Sequence, residues 1–342
     1  MQITVTDRPD AGIFTRLGLP APAFWRSELD RFHLVQRRGG ADVHYLVARD
    51  GRGATVGLLP VYLASPPWEA VVDPALILGT AAPEPPATGS PSRLCLAGSG
   101  GAYGNHLVVG ASVADPAAVA VALVERARAL AADAGCRQVL LPHLDEVQSS
   151  WLDGCLATAL ATGVREKAVL PVLWDSFDEY LAWLSVNGRR RVRLERRAFL
   201  EGAVEVREES LPELAAALAP LAAQTEHRYG HDITVEQVEF YLTMLGMDLD
   251  CVTLVAYRDG RPVGFSLTID RGDRWIMRSW GCDYASPGPE PLYFNMVFHE
   301  VISRAIERRV PLIDFGVGSL TAKTQRGCRP EPLRSVLIPA GL

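Results

Sequence analysis

The feature that most limits how this chain can fold is a short pattern that occurs once in each half. Residues 46–57 read LVARDGRGATVG and residues 254–264 read LVAYRDGRPVG. In both, an apolar run enters an Asp-Gly turn and leaves through a run that begins Val-Gly. Asp-Gly between two β-rich runs is a strong hairpin signal, because a tight hairpin needs positive φ at its central residues. An equivalent helix and strand follow each hairpin. In residues 115–135, Asp115 suits the cap, Pro116 the first helical position and Gly135 the stop; a strand is predicted at 138–142. In residues 292–309, Leu292, Met296, Val301, Ile302, Ala305 and Ile306 form a helical apolar stripe, and a strand is predicted at 311–315. Each half thus runs hairpin, further strand, helix, strand. A repeat of this size means two related domains rather than a short-unit solenoid.

Strands that feed a helix and then another strand imply a mixed α/β sheet. The predicted division is 1–165 and 166–342, and 342 residues are comfortable for two domains. The first half carries an insertion at 65–93, rich in Pro, Ala and Gly, which reads as loop. At 48% hydrophobic and 22% charged, the chain can bury a real core. Its net charge of −6 argues against a surface devoted to nucleic acid, though not against a local basic patch. The opening MQITVTDRPD lacks an export signal, and no apolar run approaches the roughly 20 residues that cross a bilayer. The six cysteines are dispersed, with no C-x-x-C pair, so reduced thiols in a cytoplasm are the simpler expectation. The abundance of Ala, Arg, Gly and Pro suggests a high-GC bacterial source.

Four segments carry a family resemblance: VGLLPVYL (56–63), NGRRRVRLERR (187–197), YFNMVFHEVISRAIE (293–307) and IDFGVGSLTAKTQRGCRPEPLRSV (313–336). Their order and wording resemble the GNAT superfamily, and within it the tandem-GNAT group related to Fem-type (FemABX-like) peptidoglycan aminoacyltransferases. The resemblance covers nearly the whole chain as a pattern. It implies two tandem GNAT-like domains with the chemistry centred on the second. It also implies transfer of an acyl or aminoacyl group onto a small-molecule amine in cell-wall or specialised-metabolite biosynthesis. The donor would be a carrier-protein or CoA thioester, or an aminoacyl-tRNA; no bound cofactor and no metal are expected. Acetyl-CoA enzymes cradle the pyrophosphate with backbone N–H groups before the central helix. Here that loop, DYASPGPEPLYFN (283–295), carries three prolines, which lack the N–H. The Gly-rich GSGGAYGN (98–105) of the first half lacks a basic lead residue. Free acetyl-CoA is therefore disfavoured as donor.

The candidate residues lie in the second half. Lys323 and Arg326 sit in a Gly-rich tail, where the resemblance implies a lysine that binds the donor or stabilises an oxyanion. Tyr293 and Asn295 open the central helix; the resemblance implies a general acid, the role assigned to Tyr293, with Asn295 contacting substrate. In RWIMRSWGCD (274–283), alternation puts Arg278, Trp280 and Cys282 on one face. Arg278 and Trp280 are candidate substrate contacts, and Asp283 a candidate base for the acceptor amine. Cys282 has no recognisable activating partner in sequence. In TEHRYGHD (225–232), Glu226 and His227 are candidate bases and Tyr229 a candidate contact. Gly230 argues for a loop there rather than for a helix presenting His227 and His231 to a metal; a polar connection between helices is the plainer alternative. The run of arginines at 189–197 is either a solvated face with local ion pairs or a contact for tRNA, carrier protein or carboxylate, without the interleaved aromatics that stack bases. A non-catalytic pair of degenerate GNAT units that binds a cell-wall or carrier partner is the competing reading of the whole chain.

Overall fold

The computed structural model describes residues 1–38, 40–66, 73–79, 93–98, 104–285 and 289–341. The chain opens with β1 (Gln2–Thr6), α1 (Ile13–Arg16), α2 (Pro22–Arg38), β2 (Asp42–Arg49), β3 (Thr55–Ala64), α3 (Pro74–Leu78) and β4 (Leu94–Ala97). It continues through β5 (Val108–Val109), α4 (Pro116–Asp133), β6 (Gln138–Leu144), α5 (Glu146–Trp151), α6 (Asp153–Leu156) and β7 (Ala161–Pro171). Next come α7 (Phe177–Trp183), α8 (Val186–Glu201), β8 (Glu205–Glu209), α9 (Leu211–Arg228), α10 (Val235–Asp248), β9 (Cys251–Arg258), β10 (Arg261–Asp270) and β11 (Trp275–Cys282). The last stretch holds α11 (Pro289–Phe294), a π-turn (Asn295–His299), α12 (Glu300–Glu307), β12 (Leu312–Val317), α13 (Leu320–Thr324) and β13 (Arg329–Pro339).

Two compact units result: Met1–Glu166 with Glu331–Leu342, and Lys167–Pro330. In the first, the strand order is β1-β2-β3-β4-β6-β13, with β5 beside β3. All neighbours are antiparallel except β4 and β6, which are parallel and joined through α4. In the second, the order is β8-β9-β10-β11-β12-β7. Again all neighbours are antiparallel except one pair, β11 and β12, joined through α11, the π-turn and α12. The two Asp-Gly hairpins therefore hold the same place, as second and third strands of their sheets.

Local chemistry explains the shared plan. Asp259 (φ 50) and Gly260 (φ 74) supply the two positive angles that a two-residue turn requires. In the first hairpin a longer turn is held by Asp50, whose Oδ1 accepts from the N–H groups of Arg52 at 2.8 Å and Ala54 at 2.9 Å. Helix α4 begins where expected, with Asp115 accepting from the Ala118 N–H at 3.0 Å and Pro116 in the first turn.

The first unit takes its sixth strand from the far end of the sequence. Strand β13 pairs with β6 from Arg334↔Leu144 to Pro339↔Gln138, while Lys167 and Val169–Pro171 of β7, which open the second unit's own stretch of sequence, pair with β12. A linear division at 165/166 does not capture this, because Val336, Leu337 and Ile338 fill the core of the first unit. Of the 65–93 insertion, α3 is a short helix capped by Asp73, which accepts from the Ala75 N–H at 2.8 Å. The remainder of that loop (67–72 and 80–92), most of the Gly-rich segment (99–103) and positions 286–288 of the proline-bearing loop lie outside the described residues. No described helix is long and apolar enough to cross a membrane.

Candidate active site in the second unit

Three elements converge at the end of β11. The strand carries Trp280, whose ring meets Tyr293 of α11 edge-on at 5.0 Å and Tyr284 at 6.4 Å. The Arg228 guanidinium, at the end of α9, lies 4.9 Å from the Tyr284 ring. Gly281 makes the close approach of α9 feasible: a Cβ there would meet the Ala222 backbone nitrogen at 2.5 Å. The buried Trp280 Nε1 has no hydrogen-bond partner among the described residues. Tyr293 is half-buried, and burial, with the nearby Tyr229 adding to it, pushes its phenol up to about 12. The phenol thus keeps its proton at neutral pH and remains able to donate it. Asp283 follows the strand; its Oδ1 accepts from the Ala285 N–H at 3.0 Å.

Beneath this aromatic wall lies a buried polar network. Arg326 is fully buried; one terminal nitrogen donates to Glu195 Oε1 and the other to the Ala322 carbonyl at 2.7 Å. Its guanidinium stacks 3.8 Å from the Phe294 ring and 5.0 Å from Phe298. The other oxygen of Glu195 receives His299 Nε2 at 2.8 Å. Asn295, also fully buried, donates through Nδ2 to the Glu195 carbonyl at 3.0 Å and to the Pro291 carbonyl at 2.7 Å. Asn295 and His299 bracket the π-turn, a local widening that recurs at functional sites. Asn295 Oδ1, His299 Nδ1 and Arg326 Nε have no partner among the described residues.

Sequence reasoning placed Asn295 and Arg326 at the site but missed Glu195 and His299. One signal was available for Glu195, an acid flanked by six arginines between 189 and 197. His299 carried none, since a polar residue in an apolar stripe is as often structural.

The chemistry of His299 follows from its partners. Glu195 accepts, so Nε2 holds the proton and Nδ1 is bare. Burial disfavours the imidazolium and lowers its pKa, although Glu195 opposes the shift. A folded pKa below the unfolded value of about 6.5 means that the unfolded chain binds the proton first as pH falls. The stabilising contribution is present above about pH 6.5 and is lost as the pH drops through the folded value. His299→Gln is therefore expected to flatten the loss of stability between about pH 7 and pH 5; urea midpoints at both pH values check this, and an unchanged slope would contradict it.

Lys323 departs from expectation. The sequence puts it in an open tail, but it is buried, and its ammonium donates to the carbonyls of Phe315 at 2.6 Å, Gly316 at 2.9 Å and Val317 at 2.9 Å. All three of its protons are engaged. The chain can fold back over the lysine because Gly316, Gly318 and Ser319 take positive φ. Burial lowers the ammonium to about 8. Lys323→Met would leave three carbonyls without their donor, at about 1–3 kcal/mol for each unmet buried group. An unfolding free energy reduced by about 3 kcal/mol or more is expected, in place of the sub-kilocalorie effect of a surface lysine. Denaturant unfolding of that variant measures it.

The remaining candidates are more open. Helix α9 runs through Arg228, so Glu226 and His227 lie on its last turn rather than in a loop, and Gly230 (φ 84) ends it. Glu226 Oε2 meets His231 Nδ1 at 2.5 Å, and His227 Nε2 donates to the Ile233 carbonyl at 2.7 Å. The helix stops before His231, so the two histidines do not share a helical face. Tyr229 is exposed. Arg278 donates from Nε to the Tyr241 hydroxyl at 2.5 Å and lies over that ring. Cys282 is fully buried, which pushes its thiol up to about 11 and leaves it a poor nucleophile.

The repeated strand plan, with a helix bridging the one parallel pair in each unit, defines a tandem GNAT-like α/β protein. The FemAB-like family model, described as peptidoglycan biosynthesis/recognition, matches residues 22–340, and the chain belongs to that family. Among solved structures, the chain is similar to FemX, with a TM-score of 0.61 and 12% identity over 98% of this chain and 97% of that one. It is also similar to a tandem GNAT protein from the clavulanic acid biosynthesis pathway (TM-score 0.50, 12% identity, 100% and 99% covered). A third likeness is to L-PGS from Bacillus licheniformis (0.52, 10%, 96% and 91%). No curated protein sequence matches.

Proposed function

We propose that this chain is an amide-forming acyl- or aminoacyl-transferase of cell-wall synthesis, with its chemistry in the second unit. The observation that carries this reading is the FemAB-like match, which runs through both units. The acceptor amine attacks the carbonyl of an aminoacyl ester or acyl thioester. A C–N bond forms, the C–O or C–S bond breaks, the leaving group takes a proton and the amine gives one up. Tyr293, protonated at neutral pH beside Trp280, serves as the acid; the bridging helix begins at Pro289, so Tyr293 lies a turn inside it and does not open it as the sequence suggests. Asp283, or Glu226 or His227 at the end of α9, takes the amine proton. Tyr229, Arg278 and Trp280 line the approach. Asn295 and Arg326 support it from beneath through Glu195. Lys323 fixes the turn after β12; reaching a substrate oxyanion would require it to release backbone carbonyls.

One observation favours the alternative, a non-catalytic unit that recognises a cell-wall partner: Lys323 and Arg326, the two candidate cations of the tail, are already committed to internal acceptors. Incubation with an aminoacyl-tRNA pool, and separately with acyl thioesters including acetyl-CoA, in the presence of a peptidoglycan-precursor peptide bearing a free amine separates the two. Mass-spectrometric detection of the acylated peptide, lost in Tyr293→Phe, supports the enzyme. Binding of the peptide without transfer from any donor supports recognition.

A further inference from the structure

Helix α8 presents a face that the catalytic reading does not use. Val186, Arg190, Arg193, Leu194, Arg197, Leu200 and Glu201 are all exposed. At 100° per residue they fall within an arc of about 120° on one side of the helix. Arg190, Arg193 and Arg197 make no ion pair among the described residues, unlike Arg196, which is held by Glu300 at 2.6 Å. The aliphatic members are well out of the core: Val186 is 79% exposed, Leu194 53% and Leu200 71%. Arg193 and Arg197 border two grooves, of about 660 and 330 Å³, one flanked by Leu200 and the other by Val186 and Leu194. Two acids, Asp178 and Glu201, border the larger groove.

We propose that this face of α8 docks on an anionic phospholipid surface. Charge complementarity selects the partner's sign: three unpaired guanidinium groups cluster on a chain whose net charge is −6. The aliphatics select its class. Interfacial helices combine arginines that reach phosphates with Leu and Val side chains that enter the acyl boundary. A single-stranded nucleic acid would be met by arginines with free stacking aromatics; the helix face carries none, and Phe177, which borders the larger groove, already has the Arg196 guanidinium 5.2 Å over its ring. Exposed aliphatics gain less against a phosphate-rich nucleic-acid backbone than at a lipid surface, whose acyl boundary takes them in.

The test is co-sedimentation of the full chain with phosphatidylcholine vesicles, with and without phosphatidylglycerol, beside a binding assay with bulk tRNA. Binding to the phosphatidylglycerol vesicles alone is expected. Each basic residue near such a surface contributes about 1 kcal/mol, or roughly fivefold, so Arg190→Gln with Arg193→Gln and Arg197→Gln should weaken partitioning by about 100-fold. Leu194→Ser with Leu200→Ser keeps every charge and should also weaken it, by about tenfold or more. All substituted side chains are exposed, and unchanged urea midpoints confirm intact folding. Absence of vesicle binding by the unaltered chain overturns the proposal. So does tRNA binding that the arginine variant loses and the serine variant keeps, which would make the face a nucleic-acid contact. The proposal is independent of catalysis, since neither vesicle nor tRNA binding requires turnover.

Discussion

A fragment ending at Glu166 is expected not to fold, although it contains the whole of the first sequence repeat. The first unit needs residues 331–342. Without them β6 loses its antiparallel neighbour β13, and the core loses Val336, Leu337 and Ile338, each buried to within 1% of completely. Burying such side chains contributes about 1.5–3 kcal/mol apiece, so the three account for about 5–9 kcal/mol. That is comparable with the whole stability of an ordinary domain, about 5–15 kcal/mol. The fragment should give a non-cooperative urea transition and expose strand β6 to aggregation. Joining residues 331–342 to the fragment through a flexible linker should restore cooperative unfolding. If 1–166 alone unfolds cooperatively near the midpoint of the full chain, β13 is an accessory strand.

The second large effect is expected at Arg326. Its substitution by Met keeps an apolar stem between Phe294 and Phe298 but leaves the Glu195 carboxylate without its cation. Removing one partner of a buried pair costs about 3–5 kcal/mol, because the remaining charge is neither solvated nor compensated. Neutralising both partners is often close to neutral. Arg326→Met alone should therefore lower stability by about 3–5 kcal/mol, and adding Glu195→Met should recover most of it. Denaturant midpoints of the single and double variants test both statements. A single variant within about 1 kcal/mol of the unaltered chain would mean that Glu195 is protonated or solvated in the fold. A double variant as unstable as the single one would mean that the Glu195 carboxylate acts mainly through His299.

Local chemistry was readable in the sequence wherever a signal is confined to neighbouring residues. The Asp-Gly turns, the Asp115–Pro116 helix start and the apolar stripe from Leu292 to Ile306 predicted their elements, because turn angles, caps and helical periodicity are properties of short segments. Repetition of those segments predicted two units of one plan. The pairing of β13 with β6 and of β7 with β12 was not readable, since a strand's partner is fixed by which sheet edge its apolar face can close. The same holds for the second unit's polar centre. Glu195 stood among arginines as though on a solvated face, His299 in an apolar stripe and Lys323 in a Gly-rich tail. Spacing along the chain carries no record of which charge will face which. The sequence by itself determined the elements, their repetition and the family pattern. Only the tertiary structure decided that Glu195 would join Arg326 to His299, and that Lys323 would turn inward onto three carbonyls. The physical reason is that buried charges must find partners, and those partners come from segments more than a hundred residues away or from a backbone turn that exists only once folded.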